Sequence, residues 1–258
     1  KGKLLNVRDA SNDKVIGNAE IQNVMKIMGL NIGSQYTTTE RLRYGSVMIM
    51  TDQDHDGSHI KGLVINFFHH FWPNLLKIPN FLQVFITPIV KCTRRNLTQV
   101  FYTTPEYDQW RQQQTEEWKI KYYKGLGTSS RKEALEYFSD LPKHRIPFEI
   151  MQNGSVIDMC FSKKRIADRK KWIANYQQGT FVDFGVDQMK YDDFVNKEYI
   201  IMAVQSNLRA IPHVMDGLKP SQRKILFACL KRKLHSEIKV AQLAGYTSEH
   251  AAYHHGEM

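Results

Sequence analysis

Residues 46–57 read Ser-Val-Met-Ile-Met-Thr-Asp-Gln-Asp-His-Asp-Gly, and this stretch decides the fold class. It begins with a compact, mostly apolar run without alternation, which predicts a short strand covered on both faces. After the acidic loop at 51–57, apolar residues recur every three or four positions over 58–75, which predicts a long helix. A second apolar run at 81–90 predicts another strand. The order strand, loop, helix, strand indicates a βαβ unit in an α/β fold.

Helix signals lie on both sides of this unit. Helical spacing over 19–28 followed by Gly29 predicts a helix that ends at that glycine. Ser130 and Glu133 have the spacing of a capping box, which predicts a helix that continues through Tyr137 after a strand near residue 122. These elements complete an α/β domain over residues 1–140.

The pattern weakens after this domain. Residues 141–193 are interpreted as a connecting region that carries a strongly basic helix at 162–176. From residue 194 an apolar helix leads to a turn at 216–220 and a second helix at 221–231, in which Pro220 suits the first turn. Two helices around a glycine-bearing turn in a basic segment predict a partial, α-rich helix-turn-helix domain at 194–258.

Composition narrows the class of protein. Lys and Arg number 36 against 26 Asp and Glu, a net charge of +10, which fits either a polyanionic partner or a solvated basic surface. With 42% hydrophobic and 11% aromatic residues the chain is not disordered, and its three dispersed cysteines argue against a disulfide scaffold or a zinc site. No apolar run approaches the roughly 18 residues of a membrane span.

Asp52, Asp54 and Asp56 alternate directly after the first strand, and such clustered carboxylates repel unless a cation neutralises them. An EF-hand calcium loop would need a glutamate at position twelve, where Leu63 stands, and a helix in front. The alternatives are a magnesium site at the carboxyl end of a parallel strand and an exposed acidic turn. The sequence favours the magnesium site.

Three other segments could contact phosphates. Lys-Gly-Leu-Gly-Thr at 124–128 brings two glycines and a lysine together, although an ordinary turn has the same composition and no Walker sequence is present. His254 and His255 could bind phosphate or metal, or be structural. Polar and basic side chains of the helix-turn-helix suit phosphate contacts or a solvated face: Arg209, Lys219, Gln222, Arg223 and Lys224.

Several motifs occur in one order along the chain. Residues 1–8, 48–63 and 122–129 resemble the TOPRIM region of eukaryotic type IIA DNA topoisomerases. The match continues into the winged-helix region of that family at 161–164, 216–224, 240–245 and 253–257. The resemblance implies a TOPRIM-type parallel sheet flanked by helices, a connecting region and a partial winged-helix domain. A primase or nuclease with a TOPRIM fold would lack the segment at 217–224.

The resemblance also implies roles. Asp52 and Asp54 match metal-binding, catalytic carboxylates, Asp56 a third ligand of lesser weight, and His255 a histidine near the reactive phosphate. The cofactor is Mg²⁺, with Mn²⁺ possible, while ATP is used by a domain outside this sequence. The partners are duplex DNA and a second copy in a nuclear homodimer, with no membrane. DNA contacts are implied for Lys3, Lys124, Arg209, Lys219, Gln222, Arg223, Lys224, His254 and His255.

The family pattern departs from this sequence at its two ends. The first TOPRIM glutamate is expected before Lys1, and the nucleophilic tyrosine is expected beyond Met258, so no tyrosine present here is assigned that role. The segment alone is therefore expected not to cleave DNA. A noncatalytic DNA-binding module whose acidic loop holds a structural cation is the alternative from another functional class.

Overall fold

The computed structural model describes residues 2–123 and 125–253. The chain divides into two units, Lys1–Met202 and Ala203–Met258. The domain limits expected from sequence, 140 and 193, stay predictions beside this division.

The strands of the described residues lie in the first unit. They are β1 Val47–Met50, β2 Leu82–Phe85, β3 Val90–Arg94, β4 Leu97–Phe101, β5 Lys119–Tyr122 and β6 Arg145–Pro147. The helices of the first unit are α1 Asn12–Ile16, α2 Ala19–Met28, α3 His55–Phe71, α4 Thr104–Gln112, α5 Arg131–Ser139, α6 Leu141–His144, α7 Ser155–Phe161, α8 Ile166–Ala174 and α9 Tyr191–Asp193. Short 3₁₀ turns cover Pro73–Lys77, Leu126–Thr128 and Lys163–Arg165, and a π-helical segment covers Phe194–Tyr199.

The βαβ unit predicted from sequence is confirmed. Strands β1 and β2 pair in parallel with Val47 opposite Leu82, and α3 connects them. The expectation of a parallel sheet is wrong in part, because β6 joins the other side of β2 antiparallel and makes this three-stranded sheet mixed. A second, wholly antiparallel sheet has the order β4-β3-β5.

The apolar run at 81–90 forms two strands in different sheets. Pro88 lies between β2 and β3, and proline has no N–H to donate to a strand partner. The tight β3–β4 connection places Arg95 at a φ of 50°, a left-handed conformation that reverses the chain and pairs the two strands antiparallel. One long predicted strand is therefore replaced by a bend between two sheets.

The core of the first unit lies along one face of α3. Ile65, Phe67 and Phe68 are fully buried, and Trp72 closes the helix with its ring edge against Phe67. The helix begins at His55, three residues before the predicted start. It does so because the side chain of Asp54 accepts a hydrogen bond from the backbone N–H of Gly57 and caps the first turn.

Other local signals are also confirmed. Gly29 ends α2 in the left-handed conformation, with φ at 78°. Ser130 and Glu133 form the reciprocal hydrogen bonds of a capping box at the start of α5. The basic helix predicted at 162–176 is shorter, because a 3₁₀ turn precedes α8.

The second unit consists of helices. Helix α10, Ile200–Ala210, continues from the π-helical segment into this unit, and α11 Pro220–Lys231 packs against α12 Val240–Ala251. Pro220 occupies the first turn of α11 as predicted. No helix in the described part of the chain is long and apolar enough to cross a membrane.

Candidate functional site

The acidic loop, residues 51–57, joins the carboxyl end of β1 to α3. Asp52 is exposed, and its Oδ1 accepts a hydrogen bond of 2.7 Å from the backbone N–H of Leu126. Asp54 Oδ1 accepts from the N–H of Gly57 at 2.7 Å. Asp56 lies in the first turn of α3, and its Oδ1 is 2.9 Å from Lys3 Nζ. The three carboxylates share one strand–helix junction but have different partners.

Two glycines allow this arrangement. A Cβ added at Gly57 would lie 1.8 Å from the carbonyl oxygen of Asp52, so the turn of the acidic loop has no room for a side chain there. A Cβ added at Gly125 would lie 2.5 Å from Asp52 Oδ1. Nothing lies within 4 Å of a Cβ added at Gly127. The glycine loop, residues 125–129, therefore needs its first glycine to approach Asp52.

A buried ion pair lies beneath the acidic loop. Lys61 of α3 is 1% exposed, and its Nζ is 2.6 Å from Oε1 of Glu198 in the π-helical segment. The same Nζ donates to Gln53 Oε1 at 3.3 Å, and Ser58 Oγ donates to Glu198 Oε1 at 2.8 Å. Sequence inspection missed this pair, because the partners are 137 residues apart and no local pattern links them.

The donor set of the acidic loop fits a divalent cation in part. Within residues 2–123 and 125–253, no three Asp, Glu, His or Cys side chains converge as a metal-binding group. Asp52 and Asp54 each use one carboxylate oxygen in a backbone hydrogen bond and have a second oxygen with which to bind a cation. Two hard carboxylates fit Mg²⁺ as partial ligands, because Mg²⁺ usually keeps several waters and binds substrate phosphate.

The EF-hand alternative does not fit this geometry. Strand β1 precedes the acidic loop where an EF-hand has a helix. Leu63, at the position of the bidentate glutamate, is a buried residue in the interior of α3.

In the second unit, the turn before α11 is held by side chains predicted to contact DNA. Arg223 Nε and Nη2 donate to the two oxygens of Asp216 at 2.8 and 2.9 Å. This hydrogen bond and that of the Leu218 N–H hold the pKa of Asp216 well below its ordinary value. Gln222 Oε1 accepts from the N–H of Lys219 at 2.8 Å. The pairs order the turn at the start of the helix.

The remaining predicted residues are placed as follows. Lys224 Nζ donates to the carbonyl of Ala252 at 3.2 Å, and Arg209 is exposed in the last turn of α10. Lys124, His254 and His255 lie outside the described residues. The DNA-contact roles of all these side chains stay predictions.

The chain matches known families over most of its length. A family described as the C-terminal associated domain of TOPRIM matches residues 85–207, and one described as DNA gyrase/topoisomerase IV matches residues 209–258. A probable DNA topoisomerase 2 from Dictyostelium discoideum is 56% identical over 260 residues, covering all of this chain and 17% of the relative. The chain belongs to the type IIA DNA topoisomerase family.

Other topoisomerase II relatives agree. Human DNA topoisomerase 2-alpha is 49% identical across the whole chain, which covers 18% of it, so the segment spans less than a fifth of these relatives. The crystal structure of the Plasmodium falciparum topoisomerase II DNA-binding, cleavage and re-ligation domain aligns with 99% of this chain and 36% of its own. The TM-score is 0.89 at 54% identity. The mixed α/β architecture is therefore that of a topoisomerase II segment.

Proposed function

We propose that this segment is part of the DNA-binding, cleavage and religation core of an ATP-dependent type II topoisomerase that controls DNA topology by double-strand passage. The observation that supports this proposal is the junction of β1 and α3, where Asp52 and Asp54 stand at the carboxyl end of a parallel strand beside the glycine loop. Ligands bind at such strand ends in α/β sheets.

Asp52 and Asp54 would hold Mg²⁺, or Mn²⁺ in its place. When bound, the ion supplies positive charge that stabilises the leaving 3′ oxygen and the nonbridging phosphate oxygens. Asp56 contributes less, because Lys3 already compensates its charge at 2.9 Å. ATP is hydrolysed by a domain outside this segment.

Duplex DNA is held through its phosphates. The first unit would contribute Lys3 and Lys124. In the second unit the turn fixed by the Asp216–Arg223 pair presents a basic helix start, and helix starts suit phosphate contacts. The proposed contacts of that unit are Arg209, Lys219, Gln222, Arg223, Lys224, His254 and His255, of which His255 lies nearest the reacting phosphate.

The nucleophilic tyrosine is assigned outside this sequence. Burial raises the pKa of Tyr191 and of Tyr199 far above the ordinary value, which disfavours the phenolate a nucleophile needs. The whole protein would act as a homodimer in the nucleus, and this segment would supply cation and DNA contacts to the transesterification.

The test is Asp52→Ala in the whole protein, with Asp108→Ala, an exposed aspartate of α4, as the matched control. We expect Asp52→Ala to abolish Mg²⁺-dependent cleavage of supercoiled DNA while duplex affinity stays close to wild type. Asp108→Ala should cleave normally. Intact cleavage in Asp52→Ala would refute the proposal, and joint loss of cleavage, DNA binding and folding would support a noncatalytic module with a structural cation.

A further inference from the structure

The carboxylate of Glu133 accepts more hydrogen bonds than a helix cap requires. Glu133 is 8% exposed, and Lys121 Nζ donates to it at 2.8 Å from each oxygen. Tyr123 Oη donates to Oε1 at 2.5 Å. The N–H and Oγ of Ser130 donate to Oε2 at 2.7 and 2.9 Å. Only the Ser130 contacts belong to the capping box.

Glu133 is ionised in this setting. Burial alone would raise the pKa of the carboxyl, but the hydrogen bonds from Lys121, Tyr123 and Ser130 outweigh it and lower the pKa to about 2. Burial and the bond to Glu133 raise the pKa of Tyr123, so the phenol remains the donor. A buried carboxylate with these donors is a fixed, charge-assisted joint between two chain segments.

The two joined segments flank the glycine loop. Lys121 and Tyr123 lie at and just beyond the end of β5, and Ser130 caps α5. Between them the loop closes on itself, with Thr128 Oγ1 donating to the carbonyl of Gly125 at 2.9 Å. The loop then presents the N–H of Leu126 to Asp52 Oδ1. Glu133 therefore fixes both ends of the backbone that touches Asp52.

We propose that Glu133 is a positioning residue for Asp52. It holds the glycine loop so that the N–H of Leu126 orients one oxygen of Asp52 and the other oxygen is presented to the cation. This inference rests on the proposed function, since it matters for cleavage only if Asp52 binds Mg²⁺. Glu133 itself touches neither the cation nor DNA in this assignment.

The experiment is a Mg²⁺ titration of DNA cleavage by the whole protein, comparing Glu133→Gln with Glu136→Gln. Glutamine has the size of glutamate, but its amide nitrogen cannot accept from Ser130 or Lys121. Glu136 is on the same helix, half exposed, with its nearest ionic contact to Lys91 at 3.9 Å. We expect Glu133→Gln to raise the half-maximal Mg²⁺ concentration about tenfold, the scale of one charge-assisted hydrogen bond, and to recover at saturating Mg²⁺. Glu136→Gln should match wild type.

A wild-type Mg²⁺ dependence in a folded Glu133→Gln variant would overturn the inference. If that variant does not fold, Tyr123→Phe decides, because it removes one donor and keeps the charge, Lys121 and Ser130. A smaller Mg²⁺ shift in the same direction supports the inference, and no shift refutes it. Loss of cleavage in Asp52→Ala with no shift in these variants would refute the positioning role alone. Intact cleavage in Asp52→Ala would refute the proposed function.

Discussion

Replacing Gly125 by alanine tests whether the glycine loop orients Asp52. Gly125 has φ 79° and ψ 179°, a region of backbone space that essentially only glycine enters. A new Cβ would lie 2.5 to 2.6 Å from all three carboxyl atoms of Asp52. The carboxylate and the loop cannot both keep their places, so the substitution separates them.

The expected size follows from two contributions. Holding alanine in this conformation costs about 1–3 kcal/mol, which lowers the free energy of unfolding if the loop keeps its shape. If the loop moves instead, the hydrogen bond from Leu126 to the charged Asp52 is lost, at up to about 1.5–3 kcal/mol before water replaces part of it at this exposed site. A loss of about 1.4 kcal/mol in the cleavage transition state lowers the rate roughly tenfold.

The assay is the rate of Mg²⁺-dependent cleavage of supercoiled DNA by the whole protein, with thermal unfolding measured in parallel. Gly127→Ala is the matched control, because nothing lies within 4 Å of its new Cβ. We expect Gly125→Ala to cleave at least about tenfold more slowly and Gly127→Ala to stay within about twofold of wild type. Equal activity of the two variants would refute the argument from loop geometry.

Three further predictions concern the ion pairs and a histidine. Glu198→Ala leaves Lys61 charged and buried, so urea denaturation should show a loss of about 3–5 kcal/mol, whereas Lys197→Ala, which breaks an exposed pair on the same segment, should cost less than about 1 kcal/mol. Burial and the Arg8 guanidinium lower the pKa of His69 to about 4 from 6.5, so its neutral form is favoured by folding; this stability is present above pH 6.5 and is lost as the pH falls toward 4, and denaturation of His69→Gln should show a smaller loss over that window. Arg223→Ala should weaken binding to unrelated duplexes by similar factors in fluorescence anisotropy, and a change confined to one sequence would contradict a backbone role.

Short-range signals carried the sequence-based predictions that are confirmed. Gly29 ends a helix because it enters the left-handed conformation, and Ser130 with Glu133 caps one because both partners lie within one turn. The βαβ unit followed from the apolar pattern and the length of α3. Each of these features depends on contacts within a few residues or on periodicity, which the sequence displays directly.

The features that sequence missed depend on partners far along the chain. Whether β2 accepts β6 antiparallel is decided by tertiary packing, and the apolar run through Pro88 does not reveal that its two halves enter different sheets. Similarly, the capping box predicts that Glu133 bonds to Ser130, but not that Lys121 and Tyr123 reach the same carboxylate. Pairings of this kind leave no local pattern.

The acidic loop depends on both sheets of the first unit. Asp52 follows β1 in the mixed sheet, whereas the glycine loop follows β5 in the antiparallel sheet, and their hydrogen bond spans 74 residues of sequence. The other side of the loop rests on Glu198, reached through the buried Lys61. Because the carboxylates repel one another, their placement requires these contacts from outside the motif. A substitution that shifts β5 should therefore change Mg²⁺ dependence without touching any aspartate, which distinguishes a site built by the fold from one carried by the acidic motif alone.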